Sequence, residues 1–329
     1  MTQQGLNIDV EERDRQIRAR ELASRHIFET AVDPSTVGIE PLAGMTNRNY
    51  LVTVNGQRFV VRIPGAGTED YIDRKADEEA GRLTSSLGVN APLVWYDPAT
   101  GAQITRFVEG AEPMNPEILR DPRAVSEAAL AFRTLHTCGK KLRNDFNEKT
   151  VAQEYLDLLS ARNARMPEGY AQVQQEAEVI RSALRATALE PVPCHNDPAP
   201  ENLVYTGARA YILDWEFAGN NDPFWDIADL SVEAGFTEAQ DRQFLEAYLG
   251  RLPTDGEYGR VMCYKALAFL LWTLWGCLQE ANKNPRPAYQ FKSYWDYAMD
   301  RFTRCQAIMR APEFPALLDA VRRSAPATV

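Results

Sequence analysis

The sequence predicts an α+β fold, with a small β-rich lobe followed by a larger helical one. Three observations lead there. Two β-prone runs, Tyr50–Val54 and Gln57–Ile63, flank Asn55-Gly56. Asn-Gly in that position is the strongest short hairpin signal, because both turn positions need positive φ. Beyond residue 120, segments near 122–138, 149–164, 169–189, 237–250, 257–280 and 288–310 carry apolar residues at helical spacing. Between these regions lies GAEPMNP (Gly110–Pro116), a breaker-rich stretch that marks the lobe boundary. The expected organisation is a helical segment over 1–36, a β-rich lobe over 37–110 and a helical lobe over 111–329.

The elements follow in order. The opening residues carry charges throughout and lack the apolar centre of a secretory signal, so they read as an amphipathic helix. Pro64-Gly65 ends the second hairpin strand. A helix is expected over Glu69–Leu87, with Ile72, Ala76, Glu79, Leu83 and Leu87 on one face and Gly88 as its C-cap. Strands are expected at Pro92–Tyr96 and Ala102–Val108, joined by a turn over Asp97–Gly101. In the helical lobe, one β-like island runs from Val192 to Leu213 and holds VPC, LVY and YIL. The longest apolar run, Ala266–Leu278, is shorter than the roughly 20 residues of a membrane span. It reads as a buried helix, and no membrane insertion is expected.

The 329 residues include 36 Lys+Arg against 46 Asp+Glu, a net charge of −10, with 45% hydrophobic residues. Such a chain can build a large core without disulfide staples. The acidic balance excludes nucleic acid as the main partner, since no basic surplus is available to neutralise phosphates. Five cysteines, odd in number and without CxxC pairing, read as reduced thiols and point to a cytoplasmic protein. The three histidines lie far apart in sequence. That spacing argues against a metal phosphohydrolase, which usually needs more His and Asp ligands.

The island carries the chemistry. His195-Asn196-Asp197-Pro198-Ala199-Pro200-Glu201-Asn202 is polar and proline-rich, hence an irregular loop, and Asp214-Trp215-Glu216 follows a short strand. A hairpin of that length brings Asp197, Asn202 and Asp214 to one edge. One carboxylate can then take a proton from a hydroxyl, while an amide oxygen and a second carboxylate suit a hard cation such as Mg²⁺. Taken singly, Asp-Pro and Glu-Asn are turn formers and His195 a structural histidine.

His195-x-Asp197-x4-Asn202 followed by Ile212-Leu213-Asp214-Trp215-Glu216 resembles the signature of the kinase-like small-molecule phosphotransferases, which include aminoglycoside phosphotransferases and choline/ethanolamine kinases. The resemblance implies a protein-kinase-like bilobal fold and a kinase using ATP and Mg²⁺. It implies Asp197 as catalytic base or hydroxyl-orienting group, His195 as a brace for the loop, and Asn202 and Asp214 as Mg²⁺ ligands. In the front lobe, Gly44, Thr46 and Asn47 resemble the phosphate loop of the choline kinase branch, with Ala43 where a second Gly is common. Arg62 stands where most relatives carry a phosphate-binding Lys. A guanidinium keeps the charge and can bind phosphate in bidentate fashion. Glu79, on the expected buried face of its helix, is the candidate partner of Arg62, with Glu78 the lesser choice. Backbone groups near Thr105 to Phe107 are expected to meet adenine.

After Asp214, the run Glu216-Phe217 through Asn221 and Asp226-Ile227 resembles the choline/ethanolamine kinase motif, as do the aromatic stretches near Trp272 and Tyr294 and Arg301. Trp272 and Trp275, and likewise Tyr294 and Tyr297, stand at i,i+3 and share a face. On spacing alone such pairs also suit a packed core. The resemblance assigns them to a pocket for a quaternary ammonium, held by π faces. Glu216, Phe217, Asn221 and Glu233 are expected beside the substrate. The expected reaction is phosphorylation of the hydroxyl of choline or a related amino alcohol such as ethanolamine. Alternatives are a kinase for an aminoglycoside or thiamine-like acceptor, and a non-catalytic quaternary-ammonium-binding homologue, which Arg62, Ala43 and Pro198 keep open. A homodimer is compatible with the sequence.

Overall fold

The structure, a computed structural model, describes residues 3–42, 47–65, 72–284 and 291–324, with side chains from Glu11 onward. The chain divides into two compact units. The first comprises Met1–Glu112 and Tyr211–Glu216, and the second comprises Pro113–Ala210 and Phe217–Val329.

In the first unit, helix α1 (Gln3–His26) precedes an antiparallel five-stranded sheet. Its strands are β1 (Gly38–Leu42), β2 (Arg48–Val54), β3 (Gln57–Ile63), β4 (Leu93–Tyr96) and β5 (Gln103–Arg106), in the order β1-β2-β3-β5-β4. Asn55 and Gly56 both take positive φ, 51° and 73°, and close the β2–β3 hairpin in the register Val54↔Gln57. That is the turn the Asn-Gly pair requires. The opening helix is not a free segment. Ala19 and Ala23 are fully buried in the core formed by Tyr50, Val52, Phe59, Val61 and Ile104, and the Tyr50 hydroxyl donates to Glu12 Oε1 at 3.0 Å.

Helix α2 (Arg74–Leu87) begins later than the sequence predicts. Asp73 is its N-cap and accepts the amides of Lys75 and Ala76, so Ile72 lies before the helix. Gly88 closes it at φ 70°, as expected. The later start changes the buried face to Ala76, Asp77, Ala80, Gly81 and Thr84.

The second unit begins within β6 (Glu112–Pro113) and is mainly helical. Its helices are α3 (Pro122–His136), α4 (Glu148–Ala161), α5 (Tyr170–Glu176), α6 (Glu178–Ala186), α7 (Phe224–Ala234), α8 (Glu238–Leu249), α9 (Asp255–Ala281), α10 (Tyr294–Arg310) and α11 (Phe314–Arg323). The expected helix over 169–189 is broken in two at Ala177. Helices α7 and α11 are absent from the sequence-based assignment. Helix α9 is long and apolar enough to cross a bilayer by composition, but 89% of its apolar window is buried inside the unit. It is a buried core helix, as the short apolar run Ala266–Leu278 leads one to expect. The β-like island appears as β7 (Val192–Cys194), β8 (Leu203–Tyr205) and β9 (Ala210–Ile212), and β7 pairs antiparallel with β10 (Gly219–Asn221).

Candidate active site

The site residues fall in both units. In the second, the loop after β7 is fixed by one carboxylate. Asp226, fully buried near the start of α7, accepts the backbone amides of His195 at 2.7 Å and Asn196 at 2.8 Å, one on each oxygen. His136 Nε2 lies 3.0 Å from the same carboxylate, and its Nδ1 lies 2.9 Å from the Tyr248 hydroxyl. The clamp allows Asn196 to hold φ at 70°, a conformation that non-glycine residues keep only where their surroundings enforce it. The Asn196 side chain is tied as well. Its Nδ2 donates to the Phe217 carbonyl at 3.0 Å, and its Oδ1 accepts from Asn221 Nδ2 at 3.0 Å.

Two further bonds orient Asp197. Its amide donates to His195 Nδ1 at 3.2 Å, and its carbonyl accepts from Asn202 Nδ2 at 3.0 Å. With its nitrogen so committed, the half-buried Asn202 retains Oδ1 as an oxygen donor to a cation. His195 is fully buried, and its ring accepts the Asp197 amide. Asn221 through its side-chain amide and Phe217 through its backbone carbonyl, both expected beside the substrate, meet Asn196. His136, Cys194 and Asp226 bring potential ligand atoms within 4.8 Å of one another. Their nitrogen and oxygen atoms are engaged in the clamp, and burial next to Asp226 lifts the Cys194 thiol well above its ordinary range. This group serves the loop.

The expected aromatic group is partly assembled. Trp275 on α9 meets Tyr294 and Tyr297 of α10 edge-on, at ring-centroid distances of 5.6 and 5.5 Å. Arg301 lies over the Tyr297 ring at 4.4 Å and pairs with Glu233 at 2.9 Å, and the Tyr297 hydroxyl donates to Glu233 at 3.3 Å. Trp272 donates through Nε1 to Asp229 Oδ1 at 2.6 Å.

In the first unit, Arg62 is buried and bridges two carboxylates. Its Nη2 binds Asp77, and its Nη1 lies 2.5 Å from Asp214 Oδ1. Burial works against its charge, but Asp77 and Asp214 more than offset it and hold the guanidinium above its ordinary value. The partner is therefore Asp77, not the expected Glu79. With α2 starting at Arg74, Asp77 occupies the buried face and Glu79 is half-exposed, while Glu78 pairs with Arg82 at 2.7 Å. Tyr96 completes the group by donating to Asp77 Oδ2 at 2.7 Å.

Asp214 follows β9 with φ at 63°. Its segment is tied down by the Ile212 amide on the Val89 carbonyl at 2.7 Å and by Trp215 Nε1 on the Ile212 carbonyl at 3.0 Å. Asn47, 2% exposed, donates to Asp214 Oδ2 at 3.2 Å and to Glu216 Oε2 at 3.1 Å, and its own Oδ1 is buried without a hydrogen-bond partner among the described residues. Burial, and after it the charge of Asp214, push the Glu216 carboxyl up to about 7. Glu216 thus belongs to the Arg62 group.

Gly44 and Thr46 lie outside the described residues. Thr105 faces Val60 and Leu93 on its two sides within the sheet. The Phe107 amide donates to the Arg58 carbonyl at 3.1 Å, and Arg58 covers its ring at 4.5 Å. Among the backbone groups near Thr105 to Phe107 expected to meet adenine, the Phe107 amide is engaged with the neighbouring strand.

Residues 38–262 match the phosphotransferase enzyme family, APH. The chain belongs to that family. A choline/ethanolamine kinase family protein from Mesorhizobium loti is 38% identical, covers 96% of this chain and 99% of its own, and superposes with a TM-score of 0.80. Choline kinase LicA from Streptococcus pneumoniae is 25% identical, with a TM-score of 0.71 over 89% of this chain and 98% of its own. Protein LicA of Haemophilus influenzae is 27% identical over 278 residues, 81% of this chain and 78% of its own. This phosphotransferase is therefore choline kinase-like. Asp77 is the acid that sequence reasoning passed over, whereas it reads Asp226 and Asp229 as part of the motif without a role. The available signal was an acid on a helix face otherwise made of apolar or small residues.

Proposed function

We propose that this phosphotransferase transfers the γ-phosphoryl group of ATP to the hydroxyl of choline or a related small amino alcohol. The observation that carries the reading is the clamped loop, in which Asp226, His195 and Asn202 fix the backbone on both sides of the half-buried Asp197. A solved LicA carries AMP, which supports a nucleotide as the donor.

Asp197 orients the acceptor hydroxyl and takes its proton as the oxygen–phosphorus bond forms. The bond from phosphorus to the bridging oxygen breaks, and ADP leaves with that electron pair. Arg62, held by Asp77 and Asp214, supplies fixed positive charge toward the phosphates. Asn202, through its amide oxygen, and Asp214, through its carboxylate, each offer a hard oxygen donor of the kind that Mg²⁺ takes. Bound there, Mg²⁺ supplies neutralising charge for the phosphate oxygens. Trp275, Tyr294, Tyr297 and Glu233 receive the ammonium end of the acceptor.

Asp197→Asn tests the reading in a coupled ADP-release assay. The expected loss is about 10²-fold or more in kcat, with an unchanged unfolding midpoint. A variant with near-normal kcat, or a wild-type protein that releases no ADP with any amino alcohol, would refute it.

A further inference from the structure

Helix α7 carries three acids, Asp226, Asp229 and Glu233, at spacings of three and four, so they share a face. The first ends on the loop amides of His195 and Asn196, and the last ends on Tyr297 and Arg301. Asp229 lies between them and is fully buried. Its Oδ1 accepts from Trp272 Nε1, whereas its Oδ2 is buried and has no hydrogen-bond partner among the described residues. A buried acceptor without a donor is costly and rare in native proteins.

Electrostatics agree with the geometry. Burial, and then the charge of Glu233, raise the Asp229 carboxyl well above its ordinary range, and the Trp272 bond opposes this only in part. Arg301 pairs with Glu233 and with Asp300, each at 2.9 Å, so its charge is already shared between two other carboxylates.

This inference rests on the proposed function, in which an amino alcohol places its nitrogen on this side of the unit. A trimethylammonium has no N–H and is satisfied by aromatic faces alone. A primary ammonium carries three donors. Part of the aromatic wall is already used, because Arg301 lies over Tyr297.

We propose that Asp229 is a specificity-determining residue whose Oδ2 accepts an N–H from the substrate's ammonium, so that the acceptor is an amino alcohol retaining at least one N–H rather than a fully methylated one. Trp272 is the positioning residue that turns Asp229 for this task.

The test measures kcat/KM for ethanolamine, N-methylethanolamine, N,N-dimethylethanolamine and choline on wild type and Asp229→Asn. Wild type is expected to favour the three N–H-bearing acceptors. The variant is expected to lower the ethanolamine-to-choline ratio of kcat/KM by about tenfold or more, mostly through ethanolamine. A ratio taken on one preparation is independent of its folded fraction, and the wild-type preference is informative even where the variant does not fold. A wild type that favours choline over every N–H-bearing acceptor, or a ratio unchanged in Asp229→Asn, overturns the inference and leaves the functional reading standing. Turnover of none of the four removes both.

Discussion

Arg62 shows how much one side chain can carry. Its two terminal nitrogens reach two different carboxylates, Asp77 and Asp214, and Tyr96 holds the first of them from behind. A lysine would keep the charge but offers a single nitrogen, so it cannot reproduce the fork. Arg62→Lys is expected to raise the KM for ATP about fivefold, equivalent to roughly 1 kcal/mol, with little change in the KM for the amino alcohol. Steady-state kinetics with each substrate varied checks this; equal effects on both would place Arg62 outside the nucleotide side. At this scale the sequence was legible wherever a motif is local. The His195–Asn202 string could be placed in an irregular loop because a loop written in adjacent residues keeps its meaning out of context. Asp77 could not be assigned, because its face depends on where α2 begins. Ile72 resembles a first helical apolar residue but lies before the N-cap Asp73.

Among the elements, the contact of α9 with α10 sets the aromatic group. Gly276 lets the helices approach: a Cβ there would lie 2.8 Å from the Tyr297 ring and 3.0 Å from the Ala298 Cβ. Gly276→Ala therefore has to push α10 outward or turn Tyr297 away from Trp275. Overpacking of this kind costs about 1–3 kcal/mol. The expected outcome is a lower unfolding midpoint and a higher KM for the amino alcohol, with the KM for ATP unchanged; an unaltered acceptor KM would show that Tyr297 has no part in substrate binding. Element existence was largely legible, since Asn55-Gly56, Gly88 and the long apolar periodicities speak through local rules. Helix α7 was not. Its sequence FWDIADLSVEA is almost wholly buried, so it lacks a polar face to give it a period. The acids within it made it look like part of a loop motif.

For the whole molecule, Asp229 links pH to stability. Burial and Glu233 raise its folded-state pKa well above the ordinary aspartate value of about 3.8, with Asp197 and Asp226 adding further negative charge, while Trp272 opposes. A raised carboxyl contributes stability that is fully present below about pH 3.8 and is lost as pH rises through the elevated folded value. Asp229→Asn removes that dependence. Urea unfolding from pH 5 to 9 is expected to show the variant gaining stability relative to wild type as pH rises; a constant difference would contradict the assignment. The acidic net charge and the buried α9 were legible from composition and length. The division into units was legible only in part, because a contiguous reading does not assign Tyr211–Glu216 to the first unit.

That returning segment has a consequence for biosynthesis. A ribosome must translate past Glu216 before the first unit has all its parts. Until then Arg62 has only one of its two carboxylates, and the Val89 carbonyl lacks the Ile212 amide. An N-terminal fragment cut at Glu112 would emerge as an incomplete body, and supplying Tyr211–Glu216 by circular permutation is the direct way to complete it.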